Sequence, residues 1–237
     1  MSELNGYIIR AEVHDPPAWG YAVYRTAYGA ATDEPWRLLL EAIRTEVRRD
    51  VLSLRIPRGG NPSRYSDEET QRCEEFLSLL TLDTKEDQST LQGASMDRVR
   101  EIIKETDPLP TEDEWLLDGT LTTRQGVFLY VDDEVLESVA AAAAAQTPTP
   151  TGGSCAAAPW IKMVELDYEP EKHKGNIRVG PQYYFGWMKV STDSFFQLWS
   201  AQEGKYLWSF APPSTDERTL PIWNGIGMTP TDCRGKR

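Results

Sequence analysis

Residues 127–137 read Val-Phe-Leu-Tyr-Val-Asp-Asp-Glu-Val-Leu-Glu, and this stretch decides the class of fold. Its first five residues are an uninterrupted apolar run of strand length, which is typical of a central strand covered on both faces. The acidic residues that follow are typical of a helix start, with Val135, Leu136 and Val139 turned inward. A buried strand that passes directly into a helix predicts a sheet with helices packed against it.

The flanking segments continue this alternation of strands and helices. Strand patterns occupy residues 19–26, 160–168 and 184–190, and helix patterns cover 67–82 and begin at Asp33, Ser95 and Ser191. We therefore expect a single α/β or α+β domain over residues 1–237, with a mixed central sheet flanked by helices. Residues 1–18 are a weakly patterned lead-in. The Ala/Pro/Thr/Gly-rich segment at about 140–158 predicts a flexible loop insertion, and the tail at about 229–237 is expected to be frayed.

Composition excludes several classes of protein. Hydrophobic residues make up 40% of the 237, which is too many for a fully disordered chain, and no apolar run is long enough for a membrane span. The N-terminus has no apolar signal region, and Cys73, Cys155 and Cys233 are odd in number and widely spaced, so we expect a cytoplasmic protein. Zinc spacing and glycine-rich phosphate loops are absent from the sequence, so we expect neither a metal nor another cofactor.

Charge is unevenly distributed along the chain. The net charge of −12 argues against a dedicated DNA-binding protein, but residues 37–64 hold seven arginines against three acidic residues. An arginine-bearing helix face followed by an Arg/Gly/Asn loop suits phosphate contacts with RNA. The alternative is an ordinary solvated helix face. The candidate RNA contacts are Arg44, Arg48, Arg49, Arg55, Arg58 and Arg64.

The acidic residues after the apolar run are the best candidate site. Carboxylates at the end of a buried strand lie where open α/β sheets bind ligands, and the helix dipole stabilises them as anions. Asp133 and Glu137 are four residues apart, so they share a helix face that can bind a guanidinium or act in proton transfer. The alternative is that Asp132 or Asp133 only caps the helix and Glu137 is solvated.

Isolated charges within apolar strands form a second set of candidates. Arg25 and Lys189 each interrupt such a run, and could line a pocket that binds a carboxylate or phosphate, with Trp187 beside Lys189. Asp167, near the end of another strand pattern, could be a pocket acid. The alternatives are charges at the edge of a half-buried strand and a turn residue. With Glu134, these residues are the candidates for substrate binding.

Four segments carry a resemblance to a known family. They are Gly20-Tyr-Ala-Val-Tyr-Arg-Thr26, a helix with Asp33-x-x-Trp36, Val131-Asp-Asp-Glu-Val-Leu136, and Tyr184-Phe-Gly-Trp-Met-Lys-Val190 followed by Leu198-Trp199. In this order they resemble a group of fungal proteins that includes the arginine-containing cyclodipeptide synthases, over about residues 19–225. That family has an acidic Asp-Asp-x-x-Glu motif. Here either Asp132-Asp133 is separated from Glu137 by three residues instead of two, or Asp133-Glu134-x-x-Glu137 is the match.

The resemblance implies an activity and a set of roles. The family condenses arginine with a second amino acid, both delivered as aminoacyl-tRNAs, into a diketopiperazine in secondary-metabolite biosynthesis. Asp133 and Glu137 would orient the arginine, Asp132 would act as base, and the arginine stretch would contact the tRNA. Two other hypotheses stay open. One is a non-catalytic protein that binds a partner through an aromatic surface around Trp187, Trp199 and Trp208, and the other is a different enzyme that binds a cationic substrate.

Overall fold

The computed structural model describes residues 3–12, 17–55, 66–106, 126–146, 158–173, 184–202, 205–212, 214 and 216–225. The strands are β1 (Trp19–Arg25), β2 (Leu80–Lys85), β3 (Val127–Val131), β4 (Trp160–Glu165), β5 (Trp187–Ser191) and β6 (Ile222–Trp223). The α-helices are α1 (Glu3–Glu12), α2 (Asp33–Ser53), α3 (Asp67–Ser78), α4 (Gln88–Leu91), α5 (Met96–Thr106), α6 (Asp133–Gln146) and α7 (Phe195–Ala201). Short 3-10 turns cover Pro170–His173, Thr192–Ser194, Leu207–Ser209 and Glu217–Thr219.

The six strands form one mixed sheet in the order β2-β1-β3-β4-β5-β6. All strands run in the same direction except β4, which is antiparallel to both of its neighbours. The chain leaves β1 for β2 on one side and later returns to place β3 on the other side of β1. Open α/β sheets bind ligands at the carboxyl ends of the strands where the strand order reverses in this way.

Helices cover both faces of the sheet, which confirms the expected α/β class. One face packs its larger apolar cluster against α1, α2, α3, α6 and α7, and the other packs against α4 and α5. Every residue of β3 is buried, and its side chains alternate between the two clusters. The prediction of a doubly covered central strand at residues 127–131 is therefore confirmed.

Among the differences from the sequence-based expectation, two affect the larger core and the edge of the sheet. The lead-in contains α1, whose Leu4 and Ala11 join the larger core. The helix expected over 67–82 ends at Ser78, and β2 follows it and pairs in parallel with β1. The close approach of these strands depends on Gly20, since a Cβ there would overlap the carbonyl oxygen of Thr81. Pairing with β1 thus decides the state of residues 80–85.

The expected insertion is partly helical. Residues 140–146 extend α6, so an insertion can begin only after Gln146, and residues 147–157 lie outside the described part of the chain, as does the tail at 229–237. Among the described helices, none has the length and apolar character required to cross a membrane.

Candidate functional site

The strand–helix junction after β3 lies at the carboxyl edge of the sheet. Thr26, just after β1, donates its backbone N–H to the carbonyl of Val131 at 2.8 Å, so β1 and β3 stay paired to their ends. Asp132 follows at once, and its Oδ1 accepts the N–H of Val135 at 3.2 Å, which caps the first turn of α6. The acidic residues are therefore held at the carboxyl edge of the sheet, at the point where the strand order reverses.

A row of side chains crosses the sheet beside this junction. Tyr130, Lys162 and Lys189 are register partners on three adjacent strands, and they share the face that packs against α5. The two lysine side chains are only 6% and 12% exposed. Lys162 lies on β4 beside the carboxyl end of β3, and Lys189 lies next to it on β5. The ammonium groups of both lysines therefore reach the acidic junction.

Two carboxylates bind these two ammonium groups in a continuous network. Lys162 Nζ lies 2.6 Å from Asp132 Oδ2 and 2.7 Å from Glu134 Oε2. Lys189 Nζ lies 2.7 Å from Glu134 Oε1, so the Glu134 carboxylate bridges both lysines. Burial alone would lower the pKa of Lys162, but its hydrogen bonds and ion pairs with both carboxylates outweigh burial and raise that pKa. Partial burial works to raise the pKa of Glu134, and the two lysines overcome it and lower that pKa.

Aromatic rings surround the ammonium groups. Lys162 Nζ lies 5.3 Å from the centre of the Trp187 ring and 6.0 Å from that of Tyr130. Lys189 Nζ lies 4.3 Å from the centre of the Trp160 ring. Cation–π attraction at such distances is stronger when the cation is desolvated. The rings therefore help to stabilise the two buried ammonium groups in their charged form. Trp187 is itself held, because its indole N–H donates to Glu217 Oε1 at 2.8 Å.

The three predicted catalytic carboxylates occupy different environments. Both oxygens of Asp132 are engaged, one by the helix cap and one by Lys162, which argues against its predicted role as general base. Asp133 and Glu137 are exposed on the outer face of α6, and no ion pair joins either to another described residue. Of the three predicted catalytic carboxylates, Asp133 and Glu137 are thus the two that remain open to a cationic ligand.

Two of the predicted substrate-binding residues lie elsewhere. Arg25 is at the carboxyl edge but on the α2 face, where Asp33, Thr32 and the carbonyl of Ala27 accept hydrogen bonds from its guanidinium. Arg25 therefore forms a structural ion pair with Asp33 and does not line a pocket as a free cation. Asp167 follows the end of β4, which is paired with the start of β3, so it lies at the opposite edge of the sheet and pairs with Lys104 at 3.3 Å.

Two of the candidate arginines, Arg48 and Arg49, are neutralised by neighbouring carboxylates. Arg48 binds Glu74 at 2.6 Å, and Arg49 pairs with Asp50 at 3.0 Å and also with Glu46. The Nε of Arg55 donates to a backbone carbonyl at 2.7 Å. Arg44 is exposed, without an ion pair to any other described residue, and Arg58 and Arg64 lie outside the described residues. The solvated helix face that we kept as the alternative accounts for Arg48 and Arg49.

Sequence reasoning missed the residue at the centre of the network. Lys162 interrupts the run Trp160-Ile-Lys-Met-Val164 in the same way that Lys189 interrupts its own strand. That shared pattern was a usable signal, because a lysine within a buried strand requires a partner. Trp160 and Tyr130 were also missed as neighbours of the lysines. The aromatic surface expected around Trp187 and Trp199 is not formed, since both are buried and Trp208 alone of the three is exposed.

No group of three or more histidine, cysteine or acidic side chains among the described residues is arranged to hold a metal ion. Comparisons with protein-family models, with curated proteins and with solved structures found no match to this chain.

Proposed function

We propose that the protein is an aminoacyl-tRNA-dependent synthase of an arginine-containing cyclodipeptide, acting in the cytoplasm in secondary-metabolite biosynthesis. One observation carries the proposal. At the carboxyl edge, two exposed carboxylates, Asp133 and Glu137, stand on the helix that also brings Glu134 to two buried ammonium groups. This edge therefore offers anions for a guanidinium and cations for ester or phosphate oxygens.

The chemistry requires two successive attacks by an amine on an ester. The α-amino nitrogen of one aminoacyl group attacks the ester carbonyl carbon of the other. A C–N bond forms, the C–O bond to the ribose breaks, and the proton lost by the amine balances the one gained by the released ribose hydroxyl. The remaining amine then attacks the remaining ester, closes the diketopiperazine ring and releases the second tRNA. Both esters are already activated, so no ATP is consumed.

The described residues fit these steps with revised roles. Asp133 and Glu137 bind the arginine guanidinium, with both carboxylates on one helix face. Lys162, held by Asp132, donates a hydrogen bond to the carbonyl oxygen as negative charge develops there. Glu134 replaces Asp132 as the proton acceptor once its carboxylate leaves the two lysines, because half of its side chain reaches solvent whereas Asp132 is fixed by the helix cap.

Expression in bacteria tests the proposal directly. The wild-type protein should release arginine-containing diketopiperazines into the medium, detected by mass spectrometry, whereas an empty vector should not. Soluble wild-type protein that yields no such product would contradict the synthase function.

A further inference from the structure

We infer that Lys162 and Lys189 form an anion-binding site, that the Glu134 carboxylate fills this site from within the protein, and that the incoming ligand is a phosphodiester near the acceptor end of the aminoacyl-tRNA. The choice of ligand rests on the proposed function. The existence of the site rests on the geometry of the described side chains alone.

The two ammonium groups are fixed by the sheet. Lys162 and Lys189 are direct register partners on β4 and β5, and both side chains are largely buried. Trp187 and Trp160 lie against their ammonium groups. A pair of cations held in this way needs little rearrangement to bind an anion, and such preorganisation favours affinity.

Glu134, in contrast, is the movable member of the network. Its carboxylate bridges the two lysines, one oxygen to each at 2.7 Å, as a bound anion would. Yet 51% of its side chain is exposed, and it comes from the first turn of α6 rather than from the sheet. A rotation about its side-chain bonds would carry the carboxylate into solvent without a change in the helix.

The charge balance favours a singly charged ligand. Asp132 stays with Lys162 because its other oxygen caps α6. Among the described residues, Glu134 is the carboxylate paired with Lys189. When Glu134 leaves, one positive charge is uncompensated, and a phosphodiester carries a single negative charge. The half-buried Trp160 ring next to Lys189 is suited to stacking with a nucleoside base.

The exchange would also change the chemistry of Glu134. The two lysines now lower the pKa of its carboxyl group. Away from them the carboxylate becomes a better proton acceptor, which is the role assigned to it above. Binding of the tRNA end would thus release the Glu134 carboxylate to act as the proton acceptor.

The test uses the dinucleoside monophosphate CpA as the probe, with adenosine as the probe that lacks a phosphodiester. Glu134→Gln removes the competing charge while keeping the side-chain shape, so CpA should bind about tenfold more tightly by calorimetry at low salt. Adenosine binding should change by less than about twofold. The matched control is Glu105→Gln, which makes the same change of charge at an exposed position near the carboxyl end of α5. This variant should bind CpA like the wild type.

A second variant keeps the inference falsifiable. In Glu134→Gln/Lys189→Gln the gain in CpA affinity should disappear, with folding checked by circular dichroism. Equal CpA affinity in the Glu134 and Glu105 variants, or a gain that survives in the double variant, would overturn the inference. If CpA binds as expected but no diketopiperazine is made, the proposed function fails and the anion site stands. If product forms but the CpA affinity is unchanged by Glu134→Gln, this inference alone fails.

Discussion

Lys162 Nζ lies 2.6 Å from Asp132 Oδ2, although the two residues are 30 positions apart in the chain. The same aspartate accepts the N–H of Val135 with its other oxygen. One carboxylate therefore caps helix α6 and binds an ammonium group from strand β4. This arrangement ties the start of the helix to the sheet and sets the position of the acidic residues that follow.

Loss of the Lys162 ammonium should destabilise the protein. Lys162→Met keeps most of the side-chain volume but leaves Asp132 and Glu134 without their shared cation. Because both carboxylates are partly solvated, the loss should cost about 2 kcal/mol, less than for a fully buried ion pair. Lys104→Met is the control, because its pair with Asp167 is exposed and contributes less than about 1 kcal/mol. Urea unfolding measures both free energies, and equal effects of the two substitutions would contradict the prediction.

Glu165 should make stability depend on pH in a predictable direction. This side chain is 8% exposed, and burial raises the pKa of its carboxyl group above the unfolded value. Its stabilising contribution is therefore complete below the unfolded pKa and is lost as the pH rises through the folded pKa. Compared with the wild type, Glu165→Gln should gain stability as the pH rises above the unfolded pKa of a glutamate, about 4.3. A difference in unfolding free energy that does not change with pH would contradict this.

The exposed carboxylates of α6 should be needed for product formation. Asp133→Asn and Glu137→Gln should each lower the yield of arginine-containing diketopiperazine at least tenfold, because removing a carboxylate that binds a guanidinium costs about 2 kcal/mol or more. Yield is measured by mass spectrometry and normalised to soluble protein. The control Glu105→Gln should keep the wild-type yield, and full yield from Asp133→Asn would remove that residue from the site.

Two arginines one helical turn apart should differ in tRNA binding. Arg44 has no ion pair to a described residue, whereas Arg48 already binds Glu74 at 2.6 Å. Arg44→Gln should reduce the slope of log affinity against log salt by about one, because one phosphate contact is lost. Arg48→Gln, with the same change of charge, should leave the slope unchanged. A larger effect at Arg48 would show that its ion pair with Glu74 opens on binding.

Local patterns were sufficient for most of the fold. The apolar run of β3 and the periodic apolar residues of α2 specify their states by themselves, since each encodes burial on a defined set of faces. They were insufficient for β2, whose Leu80–Lys85 follows a helix without a break and alternates only weakly. There the pairing with β1 decides the structure, and such pairing depends on residues about 60 positions away.

For the candidate site too, local sequence indicated some features and tertiary contacts decided the others. The order of a buried strand, an acidic turn and a helix indicated the carboxyl edge and the residues Asp132, Asp133, Glu134 and Glu137. It could not indicate which of these carboxylates are already paired, because their cations come from β4 and β5. Lys189 was predicted as a pocket cation that binds a carboxylate or phosphate, whereas its observed partner is a carboxylate of the protein itself.

By itself, the sequence determined the class of fold, the buried central strand and the place where acidic residues follow it. These features depend on the local alternation of apolar and polar residues, which acts over a few positions along the chain. Only the tertiary structure decided that Lys162 and Lys189 lie side by side and that Glu134 bridges them, while Asp133 and Glu137 remain exposed. Coulombic and hydrogen-bonding contacts act through space over a few ångströms, so they depend on strand order and register rather than on spacing in the sequence.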